Sequence, residues 1–184
     1  MTKPAPHRII FANEKGGTGK STCAVHFAVA LASMGWRVAG IDLDPRQRTF
    51  HRYLDNRTST AKRRGIELPI PHFEVFEGST VEELDEQVAR LAEDADYLIA
   101  DTPGRDDPFA RHIATSADTL VTPINDSFID FDLIGQVDPE TFQVVRPSFY
   151  SELIWDTRKA RAKSDGRTID WIILRNRLQH VDAH

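Results

Sequence analysis

Residues 13–22 read NEKGGTGKST, and the reading of the whole chain starts from that stretch. It follows a short apolar run, Arg8-Ile9-Ile10-Phe11-Ala12, and leads into a long apolar segment, Ser21 to Met34. A glycine-rich turn between a strand and a helix is where a phosphate cradle forms. Gly16, Gly17 and Gly19 allow backbone angles closed to other residues, so successive N–H groups can converge on phosphate oxygens. Lys20 is spaced to reach the β and γ phosphates, Ser21 to ligate Mg2+, and Thr22 to open a helix whose N-terminal dipole favours anions. A nucleoside triphosphate site is the expectation.

The ordinary P-loop spacing, G-x-x-x-x-G-K-[ST], fails here by one residue. Its first glycine falls on Glu14, and a second lysine, Lys15, precedes the glycine pair. This is the deviant Walker A form xKGGxGK[ST], which resembles the ParA/MinD family of dimerising ATPases. The resemblance implies that residues 14–22 (Glu14, Lys15, Gly16, Gly17, Thr18, Gly19, Lys20, Ser21 and Thr22) surround the nucleotide. It further implies that Lys15 crosses a dimer interface to the partner's nucleotide. Cationic fingers supplied in trans are worth about 10^3 to 10^5 in rate.

Composition sets the frame. A chain of 184 residues with 40% hydrophobic content suits one domain, residues 1–184, with a real core. A net charge of -5 gives no global attraction to nucleic acid or membrane, so such partners need a local patch. The one cysteine, Cys23, sits within the apolar helical segment and reads as core filler in a reducing cytoplasm. No apolar run reaches membrane-spanning length, and residues 1–7 lack a signal-peptide pattern.

Five apolar runs end in polar residues: 8–12, 36–44 (WRVAGIDLD), 97–102 (YLIADT), 119–125 (TLVTPIN) and 171–176 (WIILRN). Continuous apolar strands separated by helix-length segments predict an α/β fold, a mostly parallel sheet with helices on both faces. Ligands gather at the carboxyl ends of such strands. Asn13, Asp42, Asp44, Asp101, Asn125 and Asn176 are therefore expected along one edge. Residues 21–34 are apolar on nearly every face and predict a buried helix stopped by Gly35. Residues 80–93 predict an amphipathic helix with Val81, Leu84, Val88 and Leu91 on one face; 148–164 predict another, capped by Ser148. Residues 72–76 predict a short strand on the edge side.

Phosphoryl transfer to water needs the triphosphate held, Mg2+ placed and the attacking water oriented. Asp101, in DTPG at the end of an apolar strand, fits the acid that holds Mg2+ together with Ser21. Gly104 can offer its N–H to the γ phosphate, making residues 101–105 a switch. The resemblance makes Asp44 the water-orienting residue, Asp42 a metal-shell partner, and Asn176 an adenine contact with Arg177 beside it. Lys15, Lys20 and Asp44 are thus the expected catalytic residues. Residues 46–64 carry seven Lys/Arg against one acid, Asp55, a run that suits a solvated face, contact with phosphate backbones or contact with a partner's acidic tail.

Four further runs narrow the resemblance: IDLDPRQRTFHRYLDNR (41–57), INDSFIDFDLIGQVDP (124–139), RPSFYSELIWDTRKARA (146–162) and DWIILRNRL (170–178). They are similar to the MipZ group of division-plane positioning ATPases, over essentially Ile9 to Leu178. That resemblance implies an ATP-dependent, Mg2+-requiring switch with slow hydrolysis. Its monomer would meet ParB, and its ATP-bound homodimer would bind DNA nonspecifically and inhibit FtsZ polymerisation, giving a cytoplasmic, nucleoid-associated gradient without membrane binding. MipZ relatives continue past the last strand, so the C-terminal part of the fold is expected to be missing here. The nearest alternative is a ParA-type ATPase for chromosome or plasmid partitioning. A nitrogenase-type reductase is disfavoured because its cluster needs cysteines on the loops after the strands. A bacterial tyrosine kinase is disfavoured because Tyr53, Tyr97 and Tyr150 are scattered rather than clustered.

Overall fold

The computed structural model describes residues 4–138, 140, 141 and 143–178, without the side chains of residues 128 and 129; Pro139 of the 124–139 run lies outside them. In chain order the elements are β1 (His7–Phe11), α1 (Lys20–Ser33), β2 (Val38–Asp42), α2 (Thr49–Arg64), β3 (His72–Val75), α3 (Val81–Ala92) and β4 (Tyr97–Asp101). Then follow α4 (Pro108–Thr115), β5 (Thr119–Asn125), α5 (Phe128–Phe131), β6 (Gly135–Val137), β7 (Val144–Pro147), α6 (Phe149–Asp165) and β8 (Asp170–Asn176). Six strands pair in the order β3-β2-β4-β1-β5-β8, all parallel, and β6 and β7 form a separate antiparallel pair.

The two-residue period of the strands divides the core into two layers. Ile10, Ala39, Ile41, Leu98, Ala100 and Leu120 face one way, against Leu84, Val88 and Leu91 of α3, Ile113 of α4, and Tyr150 and Ile154 of α6. Ile9, Phe11, Val38, Ile99 and Val121 face the other way, against Ala24, Val25 and Ala28 of α1 and Phe50 and Leu54 of α2. Gly40 makes the second layer possible, because a Cβ there would lie 2.6 Å from the Phe50 ring. The five long strands, the edge position of β3 and the helices on both faces match the sequence expectation.

Local chemistry explains the helix ends. Thr80 and Glu83 form a capping box at the start of α3, and the Ser148 hydroxyl accepts the Ser151 N–H at the start of α6. The α3 face is as expected, with Leu84, Val88 and Leu91 buried and Val81 partly so. α1 departs from expectation. Apart from Lys20 it buries only Ala24, Val25 and Ala28, while Phe27 stays 42% exposed. Its inner face packs on the sheet and α2, and its outer face has no cover among the described residues, so an all-round apolar composition does not here mean all-round burial. Cys23 is accordingly half-buried against the second layer. No helix among the described residues is long and apolar enough to cross a membrane.

Candidate nucleotide-binding site

Parallel pairing puts the carboxyl ends of β1, β2, β4, β5 and β8 side by side. Phe11 lies opposite Asp101, Asp101 opposite Asp42, and Asn125 opposite Asn176. One cleft at this edge is lined by Gly16, Gly17, Gly19, Lys20, Ser21, Thr22, Asp44, Asp101, Gly104 and Arg177, all expected from the sequence. Thr102, within the expected 101–105 switch, also lines it, and Gln47 and Thr49 complete it and were not expected.

The loop is shaped to receive an anion. Gly17 and Gly19 take φ of 79° and 89°, the left-handed region that favours glycine. α1 starts at Gly19 with no side-chain cap and no acid in its first turn, so its leading N–H groups and dipole face the cleft. Asn13 braces the loop from below: its amide donates to Pro123 O at 2.7 Å and its oxygen accepts the Lys15 N–H at 2.8 Å. Gly104 closes the other wall. A Cβ there would sit 3.1 Å from Gly16 Cα and 3.2 Å from Lys20 Nζ, so a side chain at this position would crowd the P-loop backbone and push it back by a few tenths of an ångström.

Electrostatics follow from burial. Lys20 is buried, which pulls its pKa down, and the Asp101 and Asp44 charges oppose that fall. Asp101 is pushed up to about 7, chiefly by burial; a Ser21 hydrogen bond and Lys20 oppose the rise, and Asp42 and Asp44 add to it. Its Oδ1 is buried and has no hydrogen-bond partner among the described residues. A desolvated carboxylate with a spare oxygen beside a serine hydroxyl suits a hard divalent cation such as Mg2+, which takes few protein ligands and completes its shell with water and phosphate oxygens. The residues present therefore fit a Mg2+–triphosphate.

Other expected residues stand differently. Asp42 is fully buried behind the cradle, with Oδ1 accepting the Asp44 N–H and Oδ2 the His51 N–H, so it anchors the turn into α2 rather than facing the cleft. Asp44 accepts the Arg46 and Gln47 N–H groups on Oδ1, and its Oδ2 lies 3.6 Å from Arg105. Asn176 reaches over the P-loop and donates to Thr18 O at 2.9 Å; Arg177, at φ 53°, returns its N–H to the Asn176 oxygen. Glu14 turns to a neighbouring cleft beside Arg105, Asp106 and Arg111, where burial and Asp106 raise its pKa and Arg111 opposes them. Thr18 is buried with its hydroxyl unpartnered among the described residues. Asn125 donates its N–H to Asp130. Lys15 forms an ion pair with that same Asp130, within the chain.

The fold and this cleft define a P-loop nucleotide-binding protein built on a parallel α/β sheet. The chain belongs to the MipZ family, since the family model for ATPase MipZ matches residues 7–184. An uncharacterized ATP-binding protein of Methanocaldococcus jannaschii is 31% identical over 145 residues, 66% of this chain and 55% of that one. The chromosome-partitioning ATPase Soj of Thermus thermophilus is 49% identical over 45 residues, 24% of this chain and 18% of the other. The chain thus spans about half or less of the length of these relatives. A putative plasmid partition protein of Borrelia burgdorferi bound to AMPPNP superposes with a TM-score of 0.61 at 15% identity, covering 96% of this chain and 76% of that one. A chain of the MinC:MinD cell division protein complex of Aquifex aeolicus does so with 0.55 at 16%, covering 91% and 68%. At such identities the structural likeness establishes the fold, and the family match establishes the family.

Proposed function

We propose that the chain is a Mg2+-dependent ATPase switch whose ATP-bound form is a homodimer, and that it positions the division site by inhibiting FtsZ polymerisation. In this reading its monomer associates with ParB and its dimer binds DNA nonspecifically. The observation that carries the catalytic part is the convergence of Lys20, Ser21, Asp101, Gly104 and Asp44 on one cleft from three separate loops. The MipZ family match supports the rest.

The roles follow from placement. Lys20 and the amides of residues 16–22 hold the phosphates, with the low-dielectric surroundings of Lys20 strengthening its attraction for them. Ser21 and Asp101 would hold Mg2+, which supplies charge neutralisation at the β and γ oxygens when bound. Asp44, held by two backbone N–H groups on one oxygen, has the other directed into the site to orient water. Gly104 senses the γ phosphate through its N–H, because the switch loop already lies against Lys20. Arg177, which lines the cleft, and Asn176, held over the P-loop at Thr18 O, are the contacts proposed for the adenine side. Asp42 acts through the turn that carries Asp44, and Lys15 is the proposed trans contact.

Titration with ATP, phosphate release and mass in solution test the reading together. Lys20→Ala is expected to lose nucleotide binding, and Asp44→Ala to bind ATP, stop turning over and accumulate as dimer. Retained tight binding in the first variant, or unaltered hydrolysis in the second, contradicts the assignment. The partitioning alternative is supported by the likeness to Soj. FtsZ assembly that proceeds unchanged with the ATP-loaded chain would select it.

A further inference from the structure

Arg105 follows Gly104 in the loop after β4, and its guanidinium stands between two carboxylates. Nη1 lies 3.6 Å from Asp44 Oδ2, and Nη2 lies 3.8 Å from Asp107 Oδ2. Each acid is fixed through its other oxygen. Asp44 Oδ1 accepts the Arg46 and Gln47 N–H groups, and Asp107 Oδ1 accepts those of Phe109 and Ala110 as the cap of α4. Arg105 therefore engages the remaining oxygen of each, and so joins the loop after β2 to the loop after β4. Its neighbour Gly104 faces Gly16 and Lys20 closely enough that an added Cβ would crowd both, so a displacement of Gly104 by a phosphate would carry the adjoining Arg105 backbone with it.

We propose that Arg105 is a positioning residue that restrains Asp44, occupying the carboxylate oxygen needed to hold the attacking water until the switch loop rearranges around nucleotide. The inference rests on the assignment of Asp44 as the water-orienting residue. Asp44 has two oxygens; the backbone takes one, and the cation competes with water for the other. While the pair is closed, water orientation is weakened and turnover is slow. Arg105 is 44% exposed on its side chain against 9% for Asp44, so the restraint is modest and sensitive to salt.

The test is steady-state phosphate release from ATP by the full chain, its Arg105→Gln variant and its Arg105→Lys variant. Arg105→Gln is expected to raise kcat about two- to five-fold, the range a partly exposed ion pair can supply, with KM unchanged. Arg105→Lys keeps a cation in reach and is expected to stay near the parent rate. Raising salt from about 50 to about 300 mM is expected to speed the parent chain toward the glutamine variant and leave that variant unmoved, because screening dissolves the same pair. A purely structural arginine would not yield that salt pattern. A kcat for Arg105→Gln equal to or below the parent, or a lysine variant as fast as the glutamine one, overturns the inference while parental turnover leaves the ATPase reading intact. A parent chain that binds ATP and releases no phosphate removes both.

Discussion

Lys15 Nζ is ion-paired with Asp130 Oδ1 of the same chain, and the second oxygen of that carboxylate accepts the Asn125 N–H at 2.6 Å. Asp130 is 1% exposed and Lys15 38% exposed on their side chains. The lysine proposed to reach a partner's nucleotide is thus held at home, against the loop after β5. Burial alone would raise the Asp130 pKa, but Lys15, the Asn125 N–H and Ser127 together hold it below the ordinary carboxylate value.

Dimerisation through Lys15 must break this pair, so the pair sets a threshold for association. Asp130→Asn keeps the shape and an oxygen for the Asn125 N–H while releasing Lys15. Sizing with a non-hydrolysable ATP analogue is expected to show more dimer for Asp130→Asn than for the parent, and monomer for Lys15→Ala. The lysine variant also leaves a buried carboxylate with its N–H partners only, and is expected to lose about 1 kcal/mol in urea unfolding, discounted for the exposure of Lys15. Because the folded pKa of Asp130 is depressed, the stability it lends is present above its unfolded pKa and lost as pH falls through the folded one. The parent is therefore expected to lose stability more steeply as pH falls through the carboxylate range than the remaining carboxylates alone would give, and Lys15→Ala to flatten that limb.

Asp101 predicts the opposite pH dependence. Its folded pKa of about 7 lies above the usual carboxylate value of 3.8, so the folded chain binds this proton more tightly than the unfolded one. The stabilisation is complete below the unfolded pKa and is lost as pH rises toward 7. Asp101→Asn, which cannot ionise, is expected to melt above the parent at pH 8 and near it at pH 4, the gap reflecting on the order of a few kcal/mol. Mg2+–ATP affinity of the parent is expected to increase across pH 6 to 8, as the carboxylate it needs becomes available. Melting curves and nucleotide titrations against pH check both signs; a pH-independent difference between the two chains would place the Asp101 proton outside this range.

How legible all this is in the sequence varies with distance along the chain. β1, β2, β4 and β5 announce themselves because strands covered on both faces must be apolar at successive positions, and the P-loop because its chemistry is local. β8 is equally apolar in sequence, yet it is an edge strand and leaves Ile172 and Ile173 exposed among the described residues. α2 is hidden: its buried residues, Phe50, Leu54 and Ala61, are few among charges, and the basic run masks their helical spacing. The stop signal is nevertheless present, in Lys62-Arg63-Arg64 before Gly65 at φ 63°. α4 is likewise marked by Asp107 as cap and Pro108 in its first turn. Lys15 with Asp130, and Arg105 with Asp44, join segments far apart in sequence; side-chain pairing between loops leaves no periodic trace.

The RPSFYS run shows what a resemblance gives and what it leaves to structure. Tyr150 donates its hydroxyl to Ala12 O at 2.9 Å, directly before the P-loop, and shares a 3.0 Å contact with Thr122 Oγ1, which also receives Trp171 Nε1–H at 3.0 Å. Burial raises the Tyr150 pKa well above its usual value, so the hydroxyl stays protonated as a donor. Tyr150→Phe removes that donor and leaves the part-buried Ala12 carbonyl without it. A loss of about 1–3 kcal/mol in urea unfolding is expected, with ATP affinity nearly unchanged, because the tie supports the base of the loop and does not touch the cleft.

The outer face of α2 is where the proposed DNA contact can be tested most directly. Phe50, Leu54 and Ala61 fix which side of the helix is inward; Arg52, Asn56, Ser59 and Arg63, spaced i, i+4, i+7 and i+11, share the opposite, exposed side. Cations with local duties can be set aside, since Arg48 pairs with Glu77 and Arg57 donates to Pro69 O. What is left is a stripe of phosphate-contacting residue types with no acid on it. If the ATP-loaded chain holds DNA through this stripe, Arg52→Ala with Arg63→Ala lowers retention on a nonspecific duplex and reduces the salt slope by up to about two, one for each phosphate no longer neutralised. ATP hydrolysis by the same variant stays at the parental rate, because neither arginine lines the nucleotide cleft. Retention and slope identical to the parent would assign the stripe to solvent and send the search for a DNA surface elsewhere on the molecule.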